Sequence, residues 1–85
     1  MLFGVHLTLT PDKLAEVVQL YKKDGFTCPE GVRIVKEYIW SLKFLVILVE
    51  AGQQEAVLTF MKQFAGYTSD WEVGIVTTLQ DFATL

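Results

Sequence analysis

The chain has 85 residues and a mass of 9.6 kDa, which leaves room for one domain, residues 1–85, and excludes a second independent core. Seven basic and ten acidic residues give a net charge of −3, so a nucleic-acid backbone is an unfavourable partner. Hydrophobic residues make up 52% of the chain and charged residues 20%, which is more apolar than a small soluble monomer needs. We therefore expect a partner to cover part of the apolar surface.

Cysteine content and the length of the apolar runs bear on the compartment. Cys28 is the only cysteine, so no internal disulfide can form, and we predict a cytoplasmic protein. The longest apolar run, residues 44–49, is far shorter than the roughly 18 residues that suggest a membrane span. The N-terminus has no basic segment, so we expect no signal peptide and no membrane association. One histidine and one cysteine are too few ligands for a zinc site, and we predict neither a metal nor a cofactor.

The first half of the chain predicts a strand followed by a helix. Residues 1–9 alternate with period two, and we assign the odd positions to the core face: Phe3, Val5, Leu7 and Leu9. Thr10 is then predicted as a helix N-cap, with Pro11 as the first helical residue and Asp12 as a first-turn acid. The helix is expected to run from about residue 11 to 24 and to end at Gly25.

The second half predicts a hairpin, a second helix and a last strand. Residues 25–31 contain proline and glycine and are expected to form a loop. Residues 32–40 and 43–51 are rich in β-branched and aromatic side chains, with Ser41 and Leu42 as the turn between them. An apolar stripe between residues 52 and 66 predicts a second helix. Residues 71–79 are assigned to the last strand, and residues 80–85 to a short tail that could form one helical turn.

The order β-α-β-β-α-β predicts an α+β, ferredoxin-like fold, in which both helices lie on one face of a four-stranded antiparallel sheet. Residues 44–49 are apolar at both strand parities, as in a strand that is buried on both faces. Two helices can cover only one face. We therefore predict a homodimer, in which a second copy of the chain covers the other face.

Short segments of the chain resemble a known family. They are residues 28–32, Cys-Pro-Glu-Gly-Val; residues 48–51, Leu-Val-Glu-Ala; and residues 71–73, Trp-Glu-Val. Together they resemble short domains of unknown function in the dimeric α+β barrel superfamily. Residues 38–42 followed by 48–51 are also similar to the GYD domain, although the Gly-Tyr-Asp tripeptide is absent. The resemblance implies face-to-face homodimers that can hold a small organic molecule; active relatives include cofactor-free monooxygenases, isomerases and cyclases. No catalytic motif of theirs matches residue by residue.

His6 is the candidate catalytic residue, because histidine is the usual acid or base near neutral pH. It lies on the strand face opposite the apolar set, beside Gly4, which would leave space for a ligand. Packing in a dimer interface or a hydrogen bond to a neighbour is the more common role for such a side chain, since sequence fixes no second catalytic group beside it.

The candidate binding residues are Lys36, Tyr38, Trp40 and Glu50. A two-residue turn would pair Trp40 with Lys43 and Arg33 with Glu50, and would place the first three candidates on one face, which we expect to be that of His6. A slip of one residue would instead gather Tyr38, Trp40 and Glu50 with Phe44, Val46 and Leu48. Sequence leaves both registers open. Each candidate also has a plain structural role, in interface packing or in an Arg33–Glu50 ion pair.

The leading interpretation is a small homodimer that binds an apolar or aromatic molecule. The alternative is a cofactor-independent isomerase, cyclase or monooxygenase that acts on an aromatic or polyketide-like substrate, with His6 as acid or base and Tyr38 or Trp40 positioning the substrate.

Overall fold

A computed structural model describes all 85 residues. The helices and strands are β1 (Leu2–Leu9), α1 (Leu14–Asp24), β2 (Val32–Trp40), β3 (Phe44–Ala51), α2 (Gln54–Met61), β4 (Thr68–Ile75) and α3 (Leu79–Ala83). A turn of 3-10 helix, Lys62–Phe64, extends α2. The order confirms the predicted ferredoxin-like arrangement, and the short helix α3 lies in the tail for which one helical turn had been considered.

The four strands form one antiparallel sheet in the order β2-β3-β1-β4. Period-two alternation sends one set of β1 and β3 side chains toward α1 and α2, and these residues are buried: Phe3, Val5, Leu7, Leu9, Leu45, Ile47, Val49 and Ala51. The predicted core face of β1 is therefore confirmed. We call this side of the sheet the helix face, and the other side the open face.

The two helices cover the helix face unequally. The helix α2 buries Val57, Phe60 and Met61, and Phe64 of the following 3-10 turn is completely buried. The helix α1 buries only Val17. Because α1 buries so little, space is left between this helix and the neighbouring half of the sheet.

The start of α1 differs from the prediction. The helix begins at Leu14 rather than Pro11, and no side chain caps its N-terminus. Asp12 has a φ of 72°, in the left-handed region that interrupts a right-handed helix. The backbone N–H of Lys13 donates to the carbonyl of Thr10 at 3.1 Å, so residues 10–13 form a turn before the helix.

The last strand also differs from its predicted bounds, because β4 lies at the edge and pairs only with β1. It begins at Thr68, opposite Leu9, and ends at Ile75, near the start of β1. The N–H of Val76 still donates to the carbonyl of Leu2 at 2.9 Å, but Leu2 is the first residue of β1, so β4 cannot continue to residue 79. The side chain of Thr78 accepts a hydrogen bond from the N–H of Asp81 at 3.0 Å, and this cap starts α3 where strand had been predicted.

The hairpin combines the two registers that the sequence left open. Near the turn Trp40 pairs with Phe44, which is the slipped register, whereas at the other end Arg33 pairs with Glu50. Val35 has no partner on β3 and forms a β-bulge that joins the two registers. The predicted pairing of Trp40 with Lys43 is wrong, because the turn includes Lys43 as a third residue.

None of the helices is both long and apolar enough to cross a lipid bilayer. The helix α3 buries no side chain, and Leu79 and Phe82 are 82% and 63% exposed. The radius of gyration is 13.3 Å, compared with about 12 Å expected for a compact chain of this length. The C-terminal helix therefore projects from the body of the domain.

Candidate functional site

The open face carries all five of the predicted site residues. The strand registers place these side chains on it: Leu2, Gly4, His6 and Thr8 from β1; Phe44, Val46, Leu48 and Glu50 from β3; Arg33, Lys36, Tyr38 and Trp40 from β2; and Asp70, Glu72 and Gly74 from β4. The middle of this face is apolar and aromatic, and the charged side chains lie toward its margins. Its β3 apolar residues are only half-buried, because no helix of the chain covers them.

His6 lies at the centre of the open face, in an aromatic cluster. Its ring centroid is 4.8 Å from that of Phe44, and the two rings are tilted. The centroid of the Trp40 ring is 6.2 Å away, and this pair is edge-to-face. The rings of Trp40 and Phe44 are 5.6 Å apart. Edge and offset contacts at these distances are favourable for aromatic pairs. On its other side His6 stands opposite Glu72 of β4.

The space expected beside His6 is filled. A Cβ atom placed on Gly4 would lie 3.0 Å from Cγ2 of Val76, so the side chain of Val76, the residue after β4, occupies the space over this glycine. The four best-defined pockets of the molecule do not include His6 in their walls. Its role as an acid or base stays a prediction.

Glu50 is engaged by Arg33. An Nη2–H of the guanidinium donates to Oε1 of Glu50 at 2.9 Å. This hydrogen bond, together with the positive charge of Arg33, lowers the pKa of the Glu50 carboxyl below its usual value. Both side chains are more than half exposed, so the pair contributes little to stability. The geometry matches the ion pair foreseen as the plain role of Glu50.

Lys36, Tyr38 and Trp40 follow one another along the open face of the edge strand β2. Tyr38 is 48% exposed and Trp40 is 62% exposed. Lys36 has no carboxylate within 4 Å. The predicted shared face of these residues and His6 is thus observed, although a line across the sheet from Tyr38 to His6 passes over Val46.

A cleft lies on the opposite side of the sheet, between α1 and the β2 edge, and we call it the α1 cleft. Its volume is about 250 Å³. It is lined by Val17, Val18 and Tyr21 of α1, by Phe26 of the following loop, and by Glu37, Tyr38, Ile39 and Leu45 of the hairpin. It forms because Val17 is the only buried residue of α1, while Leu14 and Leu20 are only partly buried against the core. Of the predicted binding residues, Tyr38 alone belongs to its wall.

The floor and far wall of the α1 cleft are held by the loop after α1. The Phe26 ring lies 5.0 Å from the ring of the buried Phe64 and 5.5 Å from that of Tyr21. Gln63 donates from Nε2 to the carbonyl of Thr27 at 2.7 Å and accepts from its N–H at 2.9 Å. These contacts fix Phe26 against the core.

Glu37 is the one charged residue in the wall of the α1 cleft, and it is not among the predicted site residues. Had the Arg33–Glu50 register continued along the hairpin, Glu37 would stand opposite Val46, on the open face. The extra residue Val35 places it opposite Ile47, on the helix face. The sequence did contain a sign of this bulge. Ile34 is at an even position and Ile39 at an odd one, so in a regular strand they would lie on opposite faces, and both can face the helices only if a bulge lies between them.

A second cleft, of about 530 Å³, lies between α2 and β4 and has Leu58, Met61, Lys62 and Trp71 in its wall. It is the larger of the two, but its aromatic wall is Trp71 alone, which is 57% exposed. The α1 cleft has the aromatic side chains of Tyr21 and Phe26, from α1 and the loop after it, and a carboxylate that faces the core side. We therefore consider the α1 cleft the better ligand site. No group of three or more metal-ligating side chains occurs in the molecule.

Comparisons with known proteins agree with the fold. The family model described as a domain of unknown function, DUF3303, matches residues 1–85. The structure is similar to the crystal structure of an uncharacterised NIPSNAP domain protein from Burkholderia xenovorans, with a TM-score of 0.59 and 15% identity over 93% of this chain and 96% of the other. At that identity the likeness concerns the fold alone. No curated protein matches the sequence. The comparisons name no GYD domain, so that part of the resemblance stays a prediction.

Proposed function

The chain belongs to the DUF3303 domain family, a domain of unknown function, and from its structure we propose that it is a homodimer that pairs through its open face and binds a small apolar or aromatic molecule in the α1 cleft. The observation that carries the dimer is the uncovered apolar centre of the open face. Side chains such as Val46 and Leu48 lie there without a covering layer from their own chain.

The size of the open face supports a second copy as its cover. Four strands about 4.8 Å apart and eight residues long at about 3.3 Å per residue give a face of about 500 Å². Two such faces bury about 1,000 Å², at the lower limit of specific interfaces. Tyr38 and Trp40 supply the exposed aromatic anchors that dominate binding energy in interfaces of this size.

Light scattering on the purified protein at about 10 μM tests the dimer. We expect a mass twice that of the 9.6 kDa chain. The substitution Val46→Asp should give a folded monomer, because it places an unpaired charge in the middle of the interface. Leu58→Glu is the matched control: Leu58 is 37% exposed and lies on α2, away from the open face, and its variant should remain dimeric. A monomeric wild-type protein would contradict the proposal.

The aromatic walls of the α1 cleft support the binding of a small molecule. A volume of about 250 Å³ lies just below the range of drug-sized sites, which begins at about 300 Å³, so a ligand with a single aromatic ring fits best. The probe is 2-phenylethanol, titrated into ¹⁵N-labelled protein. We expect saturable amide shifts that are concentrated at Val18, Tyr21 and Phe26. Val18→Phe fills the cleft and should abolish these shifts, whereas shifts scattered over the surface would count against the site.

A cytoplasmic location completes the proposal. Cys28 is exposed and free, and a reducing compartment keeps such a thiol from forming intermolecular disulfides. Fractionation of cells that express the tagged full chain should recover it with cytoplasmic markers. Recovery with the membrane fraction would contradict this part of the proposal.

A further inference from the structure

Glu37 gives the α1 cleft a charge preference. Its side chain is half-buried in a wall whose other members are all hydrophobic. No lysine or arginine nitrogen lies within 4 Å of its carboxylate, and it takes part in no hydrogen bond within the chain. A carboxylate that stands in an apolar wall without a counter-ion is free to pair with a positive group that enters the cleft.

The placement of Glu37 is set by the backbone. The bulge at Val35 turns the following residues over, so that Glu37 faces α1 while Lys36 and Tyr38 face the other side. The alternation of side chains along a strand keeps the adjacent Lys36 on the opposite side of the sheet from this carboxylate. Bulges are common next to binding sites, where they redirect a side chain.

We propose that the α1 cleft binds a small organic cation, an ammonium group on an aromatic or aliphatic body, with the ammonium paired to Glu37. The apolar body would lie against Val17, Val18 and Leu45, and the rings of Tyr21 and Phe26 offer further stabilisation to a cation. The inference rests on the proposed function, because it names the class of ligand for the same cleft.

Three ligands with a similar body and different charges test the inference: 2-phenylethylamine, 2-phenylethanol and 3-phenylpropionate. Each is titrated into ¹⁵N-labelled dimeric protein at neutral pH. We expect the amine to bind about tenfold more tightly than the alcohol, because an ammonium donor forms an ion pair with the carboxylate, whereas the hydroxyl donor is uncharged. The carboxylate should bind more weakly than the alcohol, since like charges repel.

Glu37→Gln keeps the shape of the side chain and removes its charge. In this variant the amine should lose its advantage, so that amine and alcohol bind equally. Glu55→Gln is the matched control, because Glu55 is an exposed carboxylate on α2 outside the cleft, and it should leave the tenfold preference unchanged. This control separates pairing at Glu37 from the general attraction of a cation to a chain of net charge −3.

The possible outcomes distinguish a failure of the cation inference from a failure of the ligand site itself. Equal binding of the amine and the alcohol to the wild-type protein, or a preference that survives Glu37→Gln, overturns the cation inference and leaves the apolar ligand site in place. Absence of binding by all three ligands at millimolar concentration overturns the ligand site and the inference together.

Discussion

Two residues in the hairpin turn adopt backbone angles that their side chains disfavour. Ser41 and Leu42 have φ values of 59° and 54°, and the N–H of Lys43 donates to the carbonyl of Trp40 at 3.2 Å. Positive φ at both central positions matches the twist of the flanking strands, which is why asparagine and glycine are usual there. A leucine in this region costs about 1–2 kcal/mol relative to a residue that adopts it freely. The turn therefore forms because the strands require it.

Replacing Leu42 with glycine should stabilise the protein. The side chain is 76% exposed, so little burial is lost, and relief of the left-handed strain exceeds the extra entropy of glycine in the unfolded chain. We expect a gain of about 1 kcal/mol in the free energy of unfolding. Urea denaturation at a fixed protein concentration measures it. Leu42→Ala keeps the Cβ atom and should show no such gain; an equal gain in both variants would show that exposure of leucine, and not backbone strain, was relieved.

At the scale of the elements, the sequence was most informative where periodicity was long. The period-two pattern of β1 predicted this strand and its buried face, and the apolar stripe of α2 predicted this helix, because burial on one side produces a regular spacing of apolar residues. The boundaries of α1 and β4 were less predictable. A local turn at Asp12 sets the start of α1, and the length of β1 sets the end of β4. Neither feature leaves a periodic signal in the sequence.

The hairpin register shows why the candidate site was only partly predictable. The sequence correctly grouped Lys36, Tyr38 and Trp40 with His6, since alternation fixes relative parity along a strand. The α1 cleft depends instead on the distance of α1 from the sheet and on the unpaired Val35. Both arise from three-dimensional packing, so Glu37 went unnoticed although its position in β2 was known.

At the scale of the whole molecule, the two edges of the open face carry opposite charges. Lys36 lies on β2, whereas Asp70 and Glu72 lie on β4. In a dimer whose two-fold axis runs parallel to the strands, the β2 edge of each copy lies over the β4 edge of the other. Sheets about 10 Å apart are within reach of a lysine side chain. Charge complementarity therefore favours this orientation over one that pairs like edges.

A charge exchange tests the orientation of the dimer. Lys36→Glu and Glu72→Lys should each weaken association, because each sets like charges against each other at both edges. The double variant should restore the affinity to within about threefold of the wild type, since exchanging the partners preserves the pairing. Sedimentation equilibrium measures the dissociation constants. If the loss of dimerisation free energy in the double variant equals the sum of the losses in the two single variants, the two edges do not meet in the dimer.

The bulge at Val35 has a consequence for how the hairpin can change over evolutionary time. Ile34 pairs with Val49 and Lys36 with Leu48, and these two partners on β3 are adjacent. An in-frame loss of the single codon for Val35 would therefore leave a continuous ladder in which every remaining side chain keeps its face. The hairpin can gain or lose this residue without exchanging its two surfaces, so insertions and deletions at this position are the ones that selection should tolerate.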